Sequence, residues 1–300
     1  MPISHRARSL RVAIAAVLAA TSLAAPRLVA QDTTSTANLR PTPDSQLVKL
    51  TLRDGSVLIG RVTDVSPTVL IFASGFGTSV IPRASIRKVE FSATRRLHEG
   101  EFWPEDPSRT RLFFAPTGRM LRRGEGYFSD AYIFFPSFQG GLTDRVNFGG
   151  GMSLFPGVGL DEQVYFVTPK IGVIARPKLN VAVGALVAGV PDFFEDSPVG
   201  LAYGVATYGG EDASVTVGSG FGFSRSSTSQ ALIMFGGSAR LSRTIALVSE
   251  NYVYSGDGTN GLVSAGIRFM GEQIAVDLAG FTASGADVPI IPYVAFIYRF

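Results

Sequence analysis

The chain contains no cysteine. That excludes disulfides, thiolate metal sites, a cysteine nucleophile and a lipid-anchored N-terminal cysteine. Histidine is almost as scarce: His5 and His98 are the two in 300 residues. A Ser–His–acid triad therefore has no base anywhere in the C-terminal two-thirds of the chain. Charged residues make up only 17%, below the roughly 25% of an average soluble domain. Past the N-terminal region no apolar run approaches the ~20 residues of a membrane-spanning helix. No cluster of His or carboxylates suggests a metal, and no Gly-rich string precedes a helix that would hold a phosphate. The expectation is a non-enzymatic protein with no catalytic residues, no metal and no cofactor.

What is present points to β structure. There are 34 Gly and 17 Pro, too many for a mainly helical chain, and 22 Phe and 9 Tyr stand beside one Trp. Apolar residues reach 46% and mean hydropathy is +0.25, which excludes disorder for most of the length. The formal net charge of +3 dissolves when counted by segment. Residues 1–30 carry +4, residues 31–126 another +4, and residues 127–300 carry −5. Without its first 30 residues the chain is near −1. No basic face remains for a phosphate backbone, so nucleic acid is not an expected partner.

Residues 1–30 read as a cleaved secretory signal. Arg6, Arg8 and Arg11 precede an apolar run over residues 12–25, the length of a signal h-region and too short to span. Cleavage is expected after Ala30, with Ala24 as a second candidate. Residues 31–46, rich in Thr, Ser and Pro, read as a flexible leader. Residues 47–92 change character. Short β-branched runs are punctuated by Asp54–Gly55, Ser66–Pro67 and Gly75–Phe76–Gly77, which are turn signals at hairpin spacing. This predicts a separate sheet of about five strands. The pattern hydrophobic–DG–hydrophobic–GRV–D–hydrophobic–IP–I–V resembles the Sm-like and SH3-like small barrels. Thr68 stands where RNA-binding Sm proteins carry Asn, so the resemblance implies the fold and not the activity.

After a connector at 93–109, alternation begins and runs to the end. Twelve runs of about 9–13 residues are separable between 110 and 300, near the roughly 9–11 residues of a tilted membrane strand. RLFFAPTGRM is the first and YFSDAYIFFPSFQ the second. Ile274, Val276 and Leu278 oppose Ala275, Asp277 and Ala279; Val263, Ala265, Ile267 and Phe269 oppose Ser264, Gly266 and Arg268. One face is apolar and the other small or polar, which suits a barrel with lipid outside. The expected fold is all-β: an antiparallel membrane barrel of about 12 strands, with 10 as the alternative, behind a small five-stranded β-domain. Pro136, Pro169 and Pro292 depart from the pattern because a prolyl nitrogen cannot donate to a ladder.

The chain ends on Phe300, with Val294, Phe296 and Tyr298 on the same face. This resembles the terminal assembly signal of bacterial outer-membrane β-barrels. The resemblance implies export to the outer membrane, contact with its lipid, and recognition of these four residues by barrel-assembly machinery. Taking Phe300 as periplasmic, the short connections GLTD, RPK, GGED, SR and GE fall on that side. The longer set PGVGLDE, PDFFEDSP, SRSSTS, SGDGTN and ASGAD falls outward. None is long enough to supply a plug. The carboxylates of EDPSR (105–109) read as a solvated loop.

Five charges fall on the inner faces of separate strands: Lys170, Arg240, Glu250, Arg268 and Asp277. They are expected to pair and brace the barrel, or alternatively to line a constriction for a solute. Two functions remain open. One is a structural barrel whose residues 47–92 dock a periplasmic protein partner; the other is a passive pore for small solutes. Twelve strands is the size at which a lumen is either filled or open.

Overall fold

The computed structural model describes residues 39–43, 46–93, 97–98, 101–191, 199–224, 231–256, 258–283 and 290–300. The expected signal segment lies outside the described residues, as do most of the leader and most of the outward segments PDFFEDSP, SRSSTS and ASGAD. The chain divides into two compact units, residues 1–94 and 95–300.

The first unit is a five-stranded antiparallel sheet. Its strands are β1 (Gln46–Leu52), β2 (Val57–Val65), β3 (Val69–Ser74), β4 (Gly77–Pro82) and β5 (Ile86–Ala93), in the order β4-β3-β2-β1-β5. The Asp54–Gly55 signal is the β1–β2 turn. Gly55 has φ of 89°, a left-handed conformation that glycine adopts without steric cost. Asp54 Oδ1 accepts the Ser56 N–H at 2.8 Å. A one-turn 3₁₀ helix, Arg83–Ser85, links β4 to β5. Val48, Leu50, Val62, Leu70, Phe72 and Val89 form the core of this unit.

The second unit begins with a two-residue pair, β6 (Leu97–His98) and β7 (Glu101–Phe102). The wall follows: β8 (Gly126–Ala131), β9 (Phe135–Thr143), β10 (Val146–Met152), β11 (Tyr165–Val167), β12 (Lys170–Ala175), β13 (Leu179–Gly189) and β14 (Val199–Gly209). It continues with β15 (Ala213–Phe223), β16 (Ala231–Arg240), β17 (Ile245–Gly256), β18 (Gly258–Met270), β19 (Ile274–Ala283) and β20 (Ile291–Arg299). Every wall pairing is antiparallel. β20 pairs with β8, from Ala295–Ala131 to Arg299–Tyr127, and the sheet closes. β11 and β12 both lie between β10 and β13, so they are two halves of one strand interrupted at Thr168–Pro169. The result is a closed twelve-stranded barrel. Closure leaves no sheet edge in lipid, where each unpaired backbone group would cost several kcal/mol.

The alternation sorts as the pattern requires. Ile171, Val217, Phe235 and Leu278 face outward at 52%, 56%, 47% and 48% exposure, while Thr207, Thr216, Ser264 and Asp277 face inward and are buried. The prolines sit where a partner is missing. Pro169 occupies the interruption. Pro136 stands one residue past the last β10 pair, Gly151–Ser137. Pro292 lies beyond the β8 ladder, which stops at Ala295.

The count of twelve holds, but its membership differs from the reading of the runs. RLFFAPTGRM is not a wall strand. Its single bridge joins Arg111 to Pro116, and it doubles back at Leu112–Ala115, where the Leu112 N–H donates to the Ala115 carbonyl at 2.8 Å. Its two adjacent phenylalanines break period two, and both are used inside the barrel unit. YFSDAYIFFPSFQ is two strands, β8 and β9. The turn between them places Tyr132 and Ile133 at φ of 56° and 69° and carries no Gly, Asn or Asp at those positions to announce it. Loop length bears only on a plug supplied between strands, and the lumen is entered from elsewhere. The plug comes from the segment ahead of β8, not from a loop between strands.

Candidate functional site

Residues 103–122 form a luminal segment whose two ends lie at the short-turn end of the barrel. At its start, the Pro104 carbonyl accepts from Arg240. At its finish, the Gly124 N–H donates to Gly141 and the Arg123 N–H to Asp144. Between them, Leu112, Phe113 and Leu121 are fully buried and join the inward Val205, Met234, Val248, Tyr293 and Ile297 in one core. Phe113 packs against Phe281 and Tyr293 with ring centroids at 5.7 and 5.4 Å.

The five inward charges converge on this segment. Glu250 on β17 is wholly buried. Its Oε2 accepts three successive backbone N–H groups, from Phe113 at 2.7 Å and from Phe114 and Ala115 at 2.9 Å. Its Oε1 accepts the Tyr252 hydroxyl at 2.7 Å. Three consecutive amides aimed at one point make a concave anion seat, and here the anion is a wall carboxylate. Arg268 on β18 faces its register partner Asp277 on β19, forking onto both carboxylate oxygens at 2.6 and 3.0 Å. The same guanidinium reaches Asp106 at 2.9 Å and the Leu112 carbonyl at 2.6 Å. Lys170 Nζ donates to the Arg119 carbonyl at 2.7 Å and to that of Thr110 at 3.4 Å. Arg240 donates to Pro104 at 2.6 Å, and its guanidinium lies 5.2 Å from the Trp103 ring centre.

Arg268 and Asp277 are the one pair among the five, and they share Asp106 with the segment. The remaining three engage the segment directly. Buried charges such as Lys170, Glu250 and Arg268 persist only when fully partnered, and the segment supplies partners to all three.

Other residues of the seat were not singled out from the sequence. Thr207 Oγ1 accepts the Gly118 N–H at 2.8 Å. A side chain at Gly118 would collide with the Asn180 carbonyl, so only glycine lets the segment lie flat on β13 and β14. The EDPSR carboxylates are buried rather than solvated: Glu105 pairs with Arg109 at 3.1 Å and Arg299 at 3.0 Å. A legible signal was available, since residues 105–125 mix acids, five arginines and an apolar LFFAP without alternation. The four residues expected to signal assembly lie elsewhere. Val294, Phe296, Tyr298 and Phe300 all face outward, and Phe300 exchanges backbone hydrogen bonds with Gly126 at 3.0 and 3.2 Å.

The segment does not fill the lumen. A cavity of about 390 Å³ remains between it and the wall, lined from the segment by Thr110, Arg111, Phe114 and Pro116 and from the wall by β8–β16 residues and Tyr252. The wall side includes Leu186, Leu201, Leu232 and Met234, inward residues that break the polar-inside rule of open channels.

Among solved structures, the fold is similar to the KdgM porin, with a TM-score of 0.45 at 9% identity over 59% of this chain and 98% of that one. It is similar to the NanC porin, with a TM-score of 0.40 at 7% identity over 58% and 97%. A loop L8 deletion mutant of OmpT, an outer membrane protein of Vibrio cholerae, gives a TM-score of 0.34 at 12% identity over 85% and 97%. No protein-family model matches the chain, and no curated protein matches it. By its closed wall and apolar outer face, the second unit is a β-barrel of the outer-membrane type.

Proposed function

We propose that this is a solute-handling outer-membrane barrel whose lumen is held shut by its own luminal segment. The observation that carries the reading is the engagement of inward wall charges with residues 103–119 from four strands, β12, β16, β17 and β18. Hydrophobic filling alone would not require buried ions. Contacts made by charges through one movable segment give a stopper a defined seat and a defined route of release. The short-turn end, which carries Phe300, is taken as periplasmic, and the cavity then belongs to the outward half of the lumen. The function is transport or capture of a small solute, with no chemistry performed on it.

Planar-bilayer conductance tests this. The wild-type barrel should stay closed apart from brief openings. A variant lacking residues 104–122 should conduct steadily, and Glu250→Gln should raise the frequency of openings. A compact, heat-modifiable gel band controls for barrel closure in each variant. Steady wild-type conductance equal to that of the deletion, or a compact deletion variant that remains closed, would overturn the proposal.

For the N-terminal sheet, a protein-docking role is supported by Phe76, which is fully exposed at the β3–β4 turn, and by Val80 at 66% exposure on the edge strand β4. A photoreactive phenylalanine at position 76 should yield one discrete cross-linked adduct in cells. Absence of a discrete adduct retires that role.

A further inference from the structure

We infer that the luminal cavity binds an amphiphilic monoanion, a carboxylate carried on an apolar body. The inference rests on the reading of the lumen as a solute site and names the class of solute.

The cavity's two basic groups and its buried amide sit together, on the segment, β10 and β12, while Tyr203 and Tyr252 add hydroxyls from β14 and β17. Asn147 on β10 and Lys170 on β12 are register partners, so their inward side chains are neighbours. Thr110 lies beside them, its carbonyl accepting from Lys170. Arg111 follows in the chain, with Nη1 on Ser129 Oγ at 3.0 Å and its guanidinium 5.8 Å from the Tyr127 ring centre. Ser129 is in turn bonded to Ser137 at 2.8 Å. All of these residues line the cavity.

Several of their polar atoms find no protein partner. Asn147 is 1% exposed, yet both its amide nitrogen and its amide oxygen are unbonded within the protein. Thr110 Oγ1 and Arg111 Nη2 are buried and unbonded as well. Buried polar groups are nearly always paired, and each exception calls for an explanation. Among the described residues, four of the six such atoms belong to three residues that line this one cavity.

The sign of the ligand follows from charge. The described lining contains Arg111 and Lys170 and no Asp or Glu. Arg111 is a fixed cation in a low-dielectric space whose lining offers no carboxylate, and the Lys170 amine adds a donor beside it, so the site attracts an anion and rejects a cation. Arg111 Nη2, the Asn147 amide and the Lys170 amine are donors suited to a carboxylate. The body of the ligand follows from the strands β13, β14 and β16, where Leu186, Leu201, Leu232 and Met234 line the cavity and Tyr203 supplies one hydroxyl. A highly polar solute such as a sugar acid would leave most of its hydroxyls unpaired there. A pocket of mainly apolar lining with a few convergent polar groups is the usual form of a small-molecule site.

The test uses the full-length mature barrel in zwitterionic nanodiscs and three probes with the same tail: octanoate, octan-1-ol and octylammonium. Calorimetry is run at neutral pH with empty nanodiscs as the baseline. Octanoate should bind saturably at a single site, octan-1-ol about tenfold more weakly or worse, and octylammonium not saturably. Asn147→Leu removes the unpaired amide without removing a hydrogen bond within the protein and keeps a similar volume, so its compact gel band should be unchanged. Its octanoate affinity should fall about tenfold.

Equal binding of octanoate and octan-1-ol would overturn the anion class while leaving a stoppered barrel with an apolar occupant. Unaltered octanoate binding by a compact Asn147→Leu variant would overturn the assigned site. Absence of saturable binding by every probe would overturn the ligand altogether. The stopper itself stands or falls separately, on conductance.

Discussion

Tyr132 and Ile133 show how much a single residue's conformation can be set from a distance. Both sit at positive φ, where a side chain crowds the backbone at roughly 1–2 kcal/mol per residue. The turn is held there because the Tyr132 ring meets Tyr293 edge-on at 5.4 Å and Asp130 Oδ1 accepts the Phe135 N–H at 3.2 Å. Ile133 is 78% exposed, so its side chain contributes little packing to offset the strain. Ile133→Gly is therefore expected to stabilise the barrel by about 1 kcal/mol, seen as a higher guanidinium midpoint in lipid vesicles. A lower midpoint would mean that the isoleucine packs against something that compensates. Glu250 has the opposite balance. Its carboxylate gathers three amides and a phenol in a buried site, and hydrogen bonds to a charged group are worth about 1.5–3 kcal/mol each. Glu250→Gln retains the shape but weakens every bond, and should cost about 3 kcal/mol of barrel stability. Loss of less than a few tenths, in the same unfolding assay, would show the three-amide seat to be energetically idle.

At the scale of elements, the luminal segment and the last strand illustrate two kinds of sequence signal. β20 alternates cleanly: Tyr293, Ala295 and Ile297 are buried, while Val294, Phe296, Tyr298 and Phe300 face outward. Phe300 stacks on Phe138 at 5.6 Å, and its backbone closes the seam with Gly126. A chain end normally frays, so an aromatic held there points to use during assembly. Deleting Phe300 should reduce outer-membrane abundance in cells far more than it lowers the stability of refolded barrel in detergent. Equal losses in the two assays would reduce Phe300 to a packing residue. The segment 103–122 has no such periodicity. Its charges read as a solvated loop because nothing local says that Arg268, Glu250 and Lys170, more than 50 residues away in sequence, will surround them. RLFFAPTGRM was apolar enough to pass for a strand, and the fused run YFSDAYIFFPSFQ hid one. The two errors offset each other in the strand count.

For the whole molecule, the division into two units carries its own expectation. The first unit has a continuous hydrogen-bonded order of five strands and a core of its own, so residues 39–94 expressed alone should melt cooperatively. A non-cooperative melt of that fragment would show that it depends on the rest of the chain. Its acid stability has a worked sign. The Ser56 N–H bonded to Asp54 holds that carboxyl below its ordinary value of 3.8. A group depressed in the folded state contributes stability above its unfolded value and loses it as pH falls through the folded one. The Asp54→Asn fragment should therefore lose part of the acid dependence seen below pH 3.8 in the parent.

Composition and period two were enough to determine an all-β chain, a small sheet ahead of a barrel, and the inner and outer faces of most wall strands. Those features are local or repeated, because lipid on one side and a lumen on the other impose the same alternation on every strand. They also placed Lys170, Arg240, Glu250, Arg268 and Asp277 on the inner face. What those residues hold was decided by the tertiary structure. The luminal segment is an aperiodic stretch whose charges make sense only opposite their partners, and those partners come from four strands of a closed wall. The cavity is likewise a remainder, the volume left when one segment of fixed size occupies a barrel of fixed circumference. The apolar inward residues Leu186, Leu201, Leu232 and Met234 were visible as runs apolar on both faces. That they surround one space beside Asn147 and Arg111 depends on register and closure, which no local pattern encodes.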